Sequence, residues 1–183
     1  MLVALDAPYV DTSAAELSFA LGLAERPALH VLELPLPGAG GGARSSSGSQ
    51  PPGSQPAGLL RLRLLGASHQ VVLRTAGHDL VETLACLPGH PPDLPAVVDA
   101  DDGYRFAARA LRLSAGELAG RADHLRRQLT GDPHALVGVF PGSPDALTAL
   151  HARIDGARIS WRTWHAYPQT AELVETETVV TVR

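Results

Sequence analysis

Residues 159–180 read ISWRTWHAYPQTAELVETETVV, and this stretch decides the fold. The second part alternates Val174, Thr176, Thr178 and Val180, and Pro168 interrupts the chain between it and the first part. Two long antiparallel strands over residues 158–167 and 172–182, joined by a turn, are the expectation. Alternation in the first strand puts Trp161, Thr163 and His165 on one face and Arg162, Trp164 and Ala166 on the other. Both tryptophans of the chain fall here although aromatic residues make up only 4% of it, so the run reads as a packing anchor or as the wall of a ligand site.

Working outward, residues 1–8 read as a strand, and Asp11-Thr12-Ser13 offers N-caps for a helix over 14–23. Residues 28–36 form a strand ended by Pro35 and Pro37. Two strand-like runs follow over 59–73, broken at Gly66-Ala67, where a bulge or close backbone approach is expected. Further strands are read at 81–87 and, after a connector rich in Pro and Asp, at 104–113. Ser114 and Glu117 form a capping box for a helix reaching about residue 129, which Gly131-Asp132-Pro133 stops. A short strand spans 136–140. Ser143-Pro144-Asp145 then opens a third helix that ends near Asp155-Gly156.

The inventory is α+β: a mainly antiparallel sheet with helices on one side of each unit. Leu-Val-Glu-Thr occurs at residues 80–83 and again at 173–176, which suggests two pseudo-repeated βαβββ units, residues 1–90 and 104–183, within one domain. Residues 38–58 are rich in Gly, Ser and Pro, lack any side chain able to anchor a core, and read as a flexible insertion.

With 183 residues, 45% of them hydrophobic, the chain can bury a substantial core without staples. Cys86 is the one cysteine, so no internal disulfide forms, and the N-terminal residues carry no basic leader. No run approaches the roughly 20 apolar residues of a membrane helix. A cytoplasmic location is expected. All 15 basic residues are arginine and the net charge is −4, which argues against capture of nucleic acid, since counterion release needs clustered cations. The absence of lysine excludes a lysine Schiff base and a Walker-type phosphate lysine.

Several residues stand out for chemistry. Ser68-His69 follows the small pair Gly66-Ala67, a combination suited either to a hydroxyl that attacks the preceding carbonyl through a strained peptide or to a hydrogen-bonded bulge. Cys86 sits among Leu84, Ala85 and Leu87, as a buried small hydrophobe or as a thiol that handles protons beside Ser68. His69, His78, Cys86 and His90 match no closed zinc spacing, and no metal is expected. Residues 140–145 bring a strand to a helix N-terminus, an anion site in principle, although Asp145 would oppose an anion and ordinary capping suffices. His165 with Trp161, Trp164, Tyr167 and Gln169 forms the remaining candidate, for a small ligand or a partner surface. Self-association through a sheet edge is a further option.

RLLGASHQV, ETLACLPG, LVGVFPGSPDALTAL and WRTWHAYPQTAELV together resemble a family from high-GC, actinobacterial-type bacteria classed only as a domain of unknown function. A more distant resemblance is to the pyruvoyl-dependent S-adenosylmethionine decarboxylases, carried by LLGASH, by a following strand with a cysteine, and by His165-Ala166-Tyr167-Pro168. It implies self-cleavage before Ser68, which would become a self-generated pyruvoyl group, the only cofactor expected. It also implies Cys86 as proton donor, His165 as the processing histidine, and an amine substrate condensed on the pyruvoyl carbonyl. Three positions differ from that pattern: Ala67 and Gln169 stand where the family has glutamate, and Leu73 near where its single-unit form has histidine. The competing implication is a non-catalytic binding or regulatory module that uses the surface of residues 161–169.

Overall fold

The computed structural model describes residues 2–5, 29–37, 58–65, 68–77, 79–84, 91–100, 103–138 and 146–182. The strands are β1 (Leu2–Leu5), β2 (Leu29–Leu36), β3 (Gly58–Leu65), β4 (Ser68–Thr75), β5 (Asp79–Leu84), β6 (Val97–Ala100), β7 (Tyr104–Arg112), β8 (Ala135–Gly138), β9 (Thr148–Asp155), β10 (Arg158–Tyr167) and β11 (Glu172–Thr181). One helix, α1 (Ala115–Leu129), lies between β7 and β8. The fold is α+β and its strand pairs are antiparallel.

The strands form two sheets. One runs β1-β5-β4-β3-β2 and the other β6-β7-β11-β10-β9-β8. The sheets share a core: Leu60, Leu62 and Leu64 of β3 and Val71 and Leu73 of β4 join Leu150, Ala152, Ile159, Trp161 and Val180 of the second sheet in one apolar cluster. The opposite face of the second sheet carries α1, whose Leu118, Ala122 and Leu129 pack on Leu147, Ala149, Ala166 and Leu173. Alternation along β10 explains both layers, because odd positions from Ile159 meet the first sheet while Trp164 and Ala166 meet the helix. Pairing of β10 with β11 runs from Arg158↔Thr181 to Tyr167↔Glu172, as residues 159–180 predict.

The α1 boundary follows its capping box. The Ser114 side chain accepts from the Glu117 backbone N–H, and the Glu117 carboxylate accepts from the Ser114 N–H at 2.8 Å. The Ser114 N–H and the Ser114 hydroxyl, the latter at 2.7 Å, both donate to the Glu117 carboxylate and hold it below its ordinary range, the backbone bond contributing most.

Several sequence expectations change. Residues 148–155, expected as part of a third helix, are strand β9. Its Leu150 and Ala152 face the first sheet while Ala149 faces α1, so both sides are apolar and the two-residue period is hidden. The connector before residue 104 contains a strand, β6, which pairs with β7. The two runs read over 59–73 are the separate strands β3 and β4, paired from Leu65↔Ser68 outward, and the bulge expected at Gly66-Ala67 lies outside the described residues. The helix read at 14–23 and the turn at 140–145 lie outside the described residues. So does the insertion read at 38–58, apart from Gly58, which opens β3.

Leaving β6 aside, the two sheets have the same internal order, first-fifth-fourth-third-second. The repeated tetrapeptide does not follow that likeness. Glu82 of the first copy is buried between the sheets, whereas Glu175 of the second meets Arg109 on the helix side. A one-residue offset in a strand exchanges faces, so the two copies are out of phase.

Candidate functional site

Glu82 is the centre of the inter-sheet polar cluster. It comes from β5, where Leu80 and Leu84 share its face, and only 1% of it is exposed. A carboxylate in that position needs donors, because its desolvation is costly. Two reach it from the other sheet: Trp161 Nε1 donates to Oε1 at 2.9 Å, and Thr178 Oγ1 donates to Oε2 at 2.7 Å. Beside them the hydroxyls of Thr163 and Thr176 lie 2.5 Å apart, directly across the β10–β11 pair.

Two imidazoles extend this cluster. His69 Nε2 is 4.0 Å from Glu82 Oε1, and His69 Nδ1 is 2.9 Å from His165 Nε2. The rings are inclined by 12° with centres 5.1 Å apart. That separation exceeds the N···N distance by about one ring's width, so the rings meet edge to edge rather than face to face. Both are buried. Burial, with the neighbouring His69 adding to it, pushes His165 well below the ordinary imidazole range and keeps it neutral near pH 7. A small apolar group, Leu84, Tyr167 and Val174 with Leu94 against it, packs next to this pair, Leu84 being paired with His69 and Val174 with His165.

The candidates from the sequence therefore separate. His69, Trp161 and His165 meet between the sheets. Ser68 is fully buried but pairs with Leu65, on the face of the first sheet opposite to His69. Its face carries a polar row: Arg63 donates to Gln70 at 3.3 Å, and Gln70 to Thr83 at 3.4 Å. Trp164 packs beneath α1, Tyr167 is buried in the small apolar group, and Gln169 is exposed in the turn after β10. Cys86 lies outside the described residues, as do His78 and His90. Among the described residues no group of three or more His, Cys, Asp or Glu side chains is arranged to hold a metal ion.

Trp164 also lines an open groove of about 850 Å³ between α1 and the outer face of the second sheet. Arg121, His124 and Gln128 face it from the helix, and the sheet contributes the pairs Arg109–Glu175 and Arg162–Glu177.

The sequence profile of the family described as "Protein of unknown function DUF2617" matches residues 14–181. The chain belongs to this family. The chain is also similar to uncharacterized protein Rv2598 of Mycobacterium tuberculosis (strain H37Rv) and uncharacterized protein Mb2629 of Mycobacterium bovis. Each is 38% identical over 112 residues, which is 61% of this chain and 66% of the relative. No solved structure matches the chain. Among the described residues of this DUF2617 chain, no helix is long and apolar enough to cross a membrane.

Glu82, Thr178, Arg63, Gln70 and Thr83 were not singled out from sequence. Glu82 had a signal, since it shares the phase of Leu80 and Leu84 and so belongs to the covered face. Arg63 had none, because an arginine alternating with leucines reads as a solvated position until the second face of the sheet proves covered.

Proposed function

We propose that the chain is an S-adenosylmethionine decarboxylase-like protein of the cytoplasm, a single domain built from two related halves, that handles a small amine or nucleoside at the Ser68 end of β4. The observation that carries this reading is the 2.9 Å contact between His69 and His165. It joins the residue after Ser68 to the histidine that the resemblance marks for processing, across two sheets of matching strand order. Ser68 is the first residue of β4 and pairs with Leu65, the last residue of β3. A pyruvoyl group there would supply the electron sink for decarboxylation.

Intact mass under denaturing conditions, measured on protein purified from its native host, tests this reading. The expected result is two fragments parted between Ala67 and Ser68, the C-terminal one carrying a carbonyl that a hydrazine traps. A single uncleaved chain overturns the enzymatic version.

The groove under α1 favours a second reading, a non-catalytic binding module. Trp164 gives it a flat apolar wall beside charged pairs, a suitable setting for a planar polar ligand. Adenosine titrated against Trp164 fluorescence in a Trp161→Phe background should change the emission, and unchanged emission counts against this reading for nucleosides.

A further inference from the structure

The geometry points to a nucleoside diphosphate as the ligand of the groove under α1, with the base on Trp164 and the phosphates laid along β10 toward Ser160. This rests on the reading of that groove as a binding site with Trp164 as its flat wall.

Strand alternation sets the layout. Ser160, Arg162 and Trp164 share one face of β10, each two residues or about 7 Å from the next. Across from them on β9 stand Arg153 opposite Ser160, His151 opposite Arg162 and Ala149 opposite Trp164. A smaller hollow of about 320 Å³ opens at the Ser160 end, lined by Arg153, Arg158 and Ser160. It shares His151, Arg162 and Glu177 with the groove, so the two adjoin along β10.

The two ends differ in chemistry. Near Trp164 the cation of β7 is committed, since Arg109 meets Glu175 through both Nε and a terminal nitrogen. At the Ser160 end, Arg153, Arg158 and Arg162 meet two carboxylates, Asp155 and Glu177. Glu177 accepts from Arg162 Nε at 3.0 Å, which leaves the terminal nitrogens of that guanidinium for another acceptor. Asp155 stands across from Arg158 in the register of β9 and β10. One positive charge is left over, and it falls on Arg153, whose side chain has neither an ion pair nor a hydrogen bond among the described residues.

Guanidinium forks with a hydroxyl beside them suit phosphate oxygens. Cations at two successive levels of the ladder, Arg162 and then Arg153 with Ser160, match two anionic groups in line. The order along β10 is therefore base and ribose at Trp164, first phosphate at Arg162 and second phosphate at Ser160.

Titration of Trp161→Phe protein with adenosine, AMP and ADP, followed by Trp164 emission and by calorimetry, tests the assignment. ADP is expected to bind about tenfold more tightly than adenosine, AMP to fall between them, and added salt to shrink the difference. Arg153 is exposed, so Arg153→Gln leaves the core untouched; it should lower ADP affinity about tenfold and leave adenosine unchanged. Arg112→Gln, on the opposite face of the second sheet, should alter neither. ADP binding no tighter than adenosine, or unaffected by Arg153→Gln, overturns the phosphate assignment and leaves the groove reading in place. AMP binding as tightly as ADP overturns the second phosphate. Calorimetric ADP binding that Arg153→Gln weakens, with constant Trp164 emission, overturns the groove reading and keeps the phosphate end. No binding of any of the three overturns both.

Discussion

Glu82 and Trp161, 79 residues apart in the chain and carried by different sheets, are joined by a 2.9 Å hydrogen bond in the interior. The bond, with the Thr178 hydroxyl on the other oxygen of the same carboxylate, ties the two layers together beside the apolar cluster they share. Replacing Glu82 by alanine leaves the indole N–H and the Thr178 hydroxyl buried without an acceptor, at a cost of about 3 kcal/mol. Glu82→Gln keeps an acceptor and should cost about half as much. Urea denaturation of the two variants checks the order.

Acidification should weaken the protein through His165. Its folded value lies below the ordinary 6.5, so the unfolded chain binds the extra proton first as pH falls. Stability is therefore undiminished by this group above about pH 6.5. Below that value it drops by up to about 1.4 kcal/mol per pH unit until the folded value is reached. Denaturation midpoints at pH 7.5 and pH 5.5 measure the slope, and His165→Gln should flatten it.

The two tryptophans should differ in solvent access. Trp161 is wholly buried, while Trp164 is half-buried and lines the groove. Acrylamide should quench Trp161→Phe protein, which retains Trp164, much more than Trp164→Phe protein. Equal quenching would contradict the faces assigned along β10.

At Gly58 the backbone of β3 passes so close to the carbonyl oxygen of Arg74 that a Cβ would collide with it. Gly58→Ala should cost about 2 kcal/mol, because the obstacle is backbone that cannot swing aside. Ser114→Ala, which removes a cap at the start of α1, should cost about 1 kcal/mol. Thermal unfolding of both variants provides the comparison.

How far the sequence reached is clear from particular elements. The β10–β11 pair and α1 were legible because each has a one-sided signal: alternation facing one core, or a capping box with a stop. β9 was not, since apolar residues on both faces leave no period to read. The halves of the candidate site were visible as Trp161-Thr163-His165 on one strand and His69 on another. Their meeting was not, because it depends on how two sheets stack, which no local pattern encodes. Ser68 and His69 are adjacent in sequence and yet serve different faces, a separation that strand geometry alone predicts.

The register Leu65↔Ser68 has a practical consequence for detecting a nick in the backbone. A break between residues 67 and 68 would fall between paired strands, not within one. The sheet order β1-β5-β4-β3-β2 would then place strands of the N-terminal piece on both sides of two from the C-terminal piece. The pieces would clasp one another through main-chain ladders. Under native conditions a severed molecule would sediment and elute as the intact one does, and only unfolding would let the halves part.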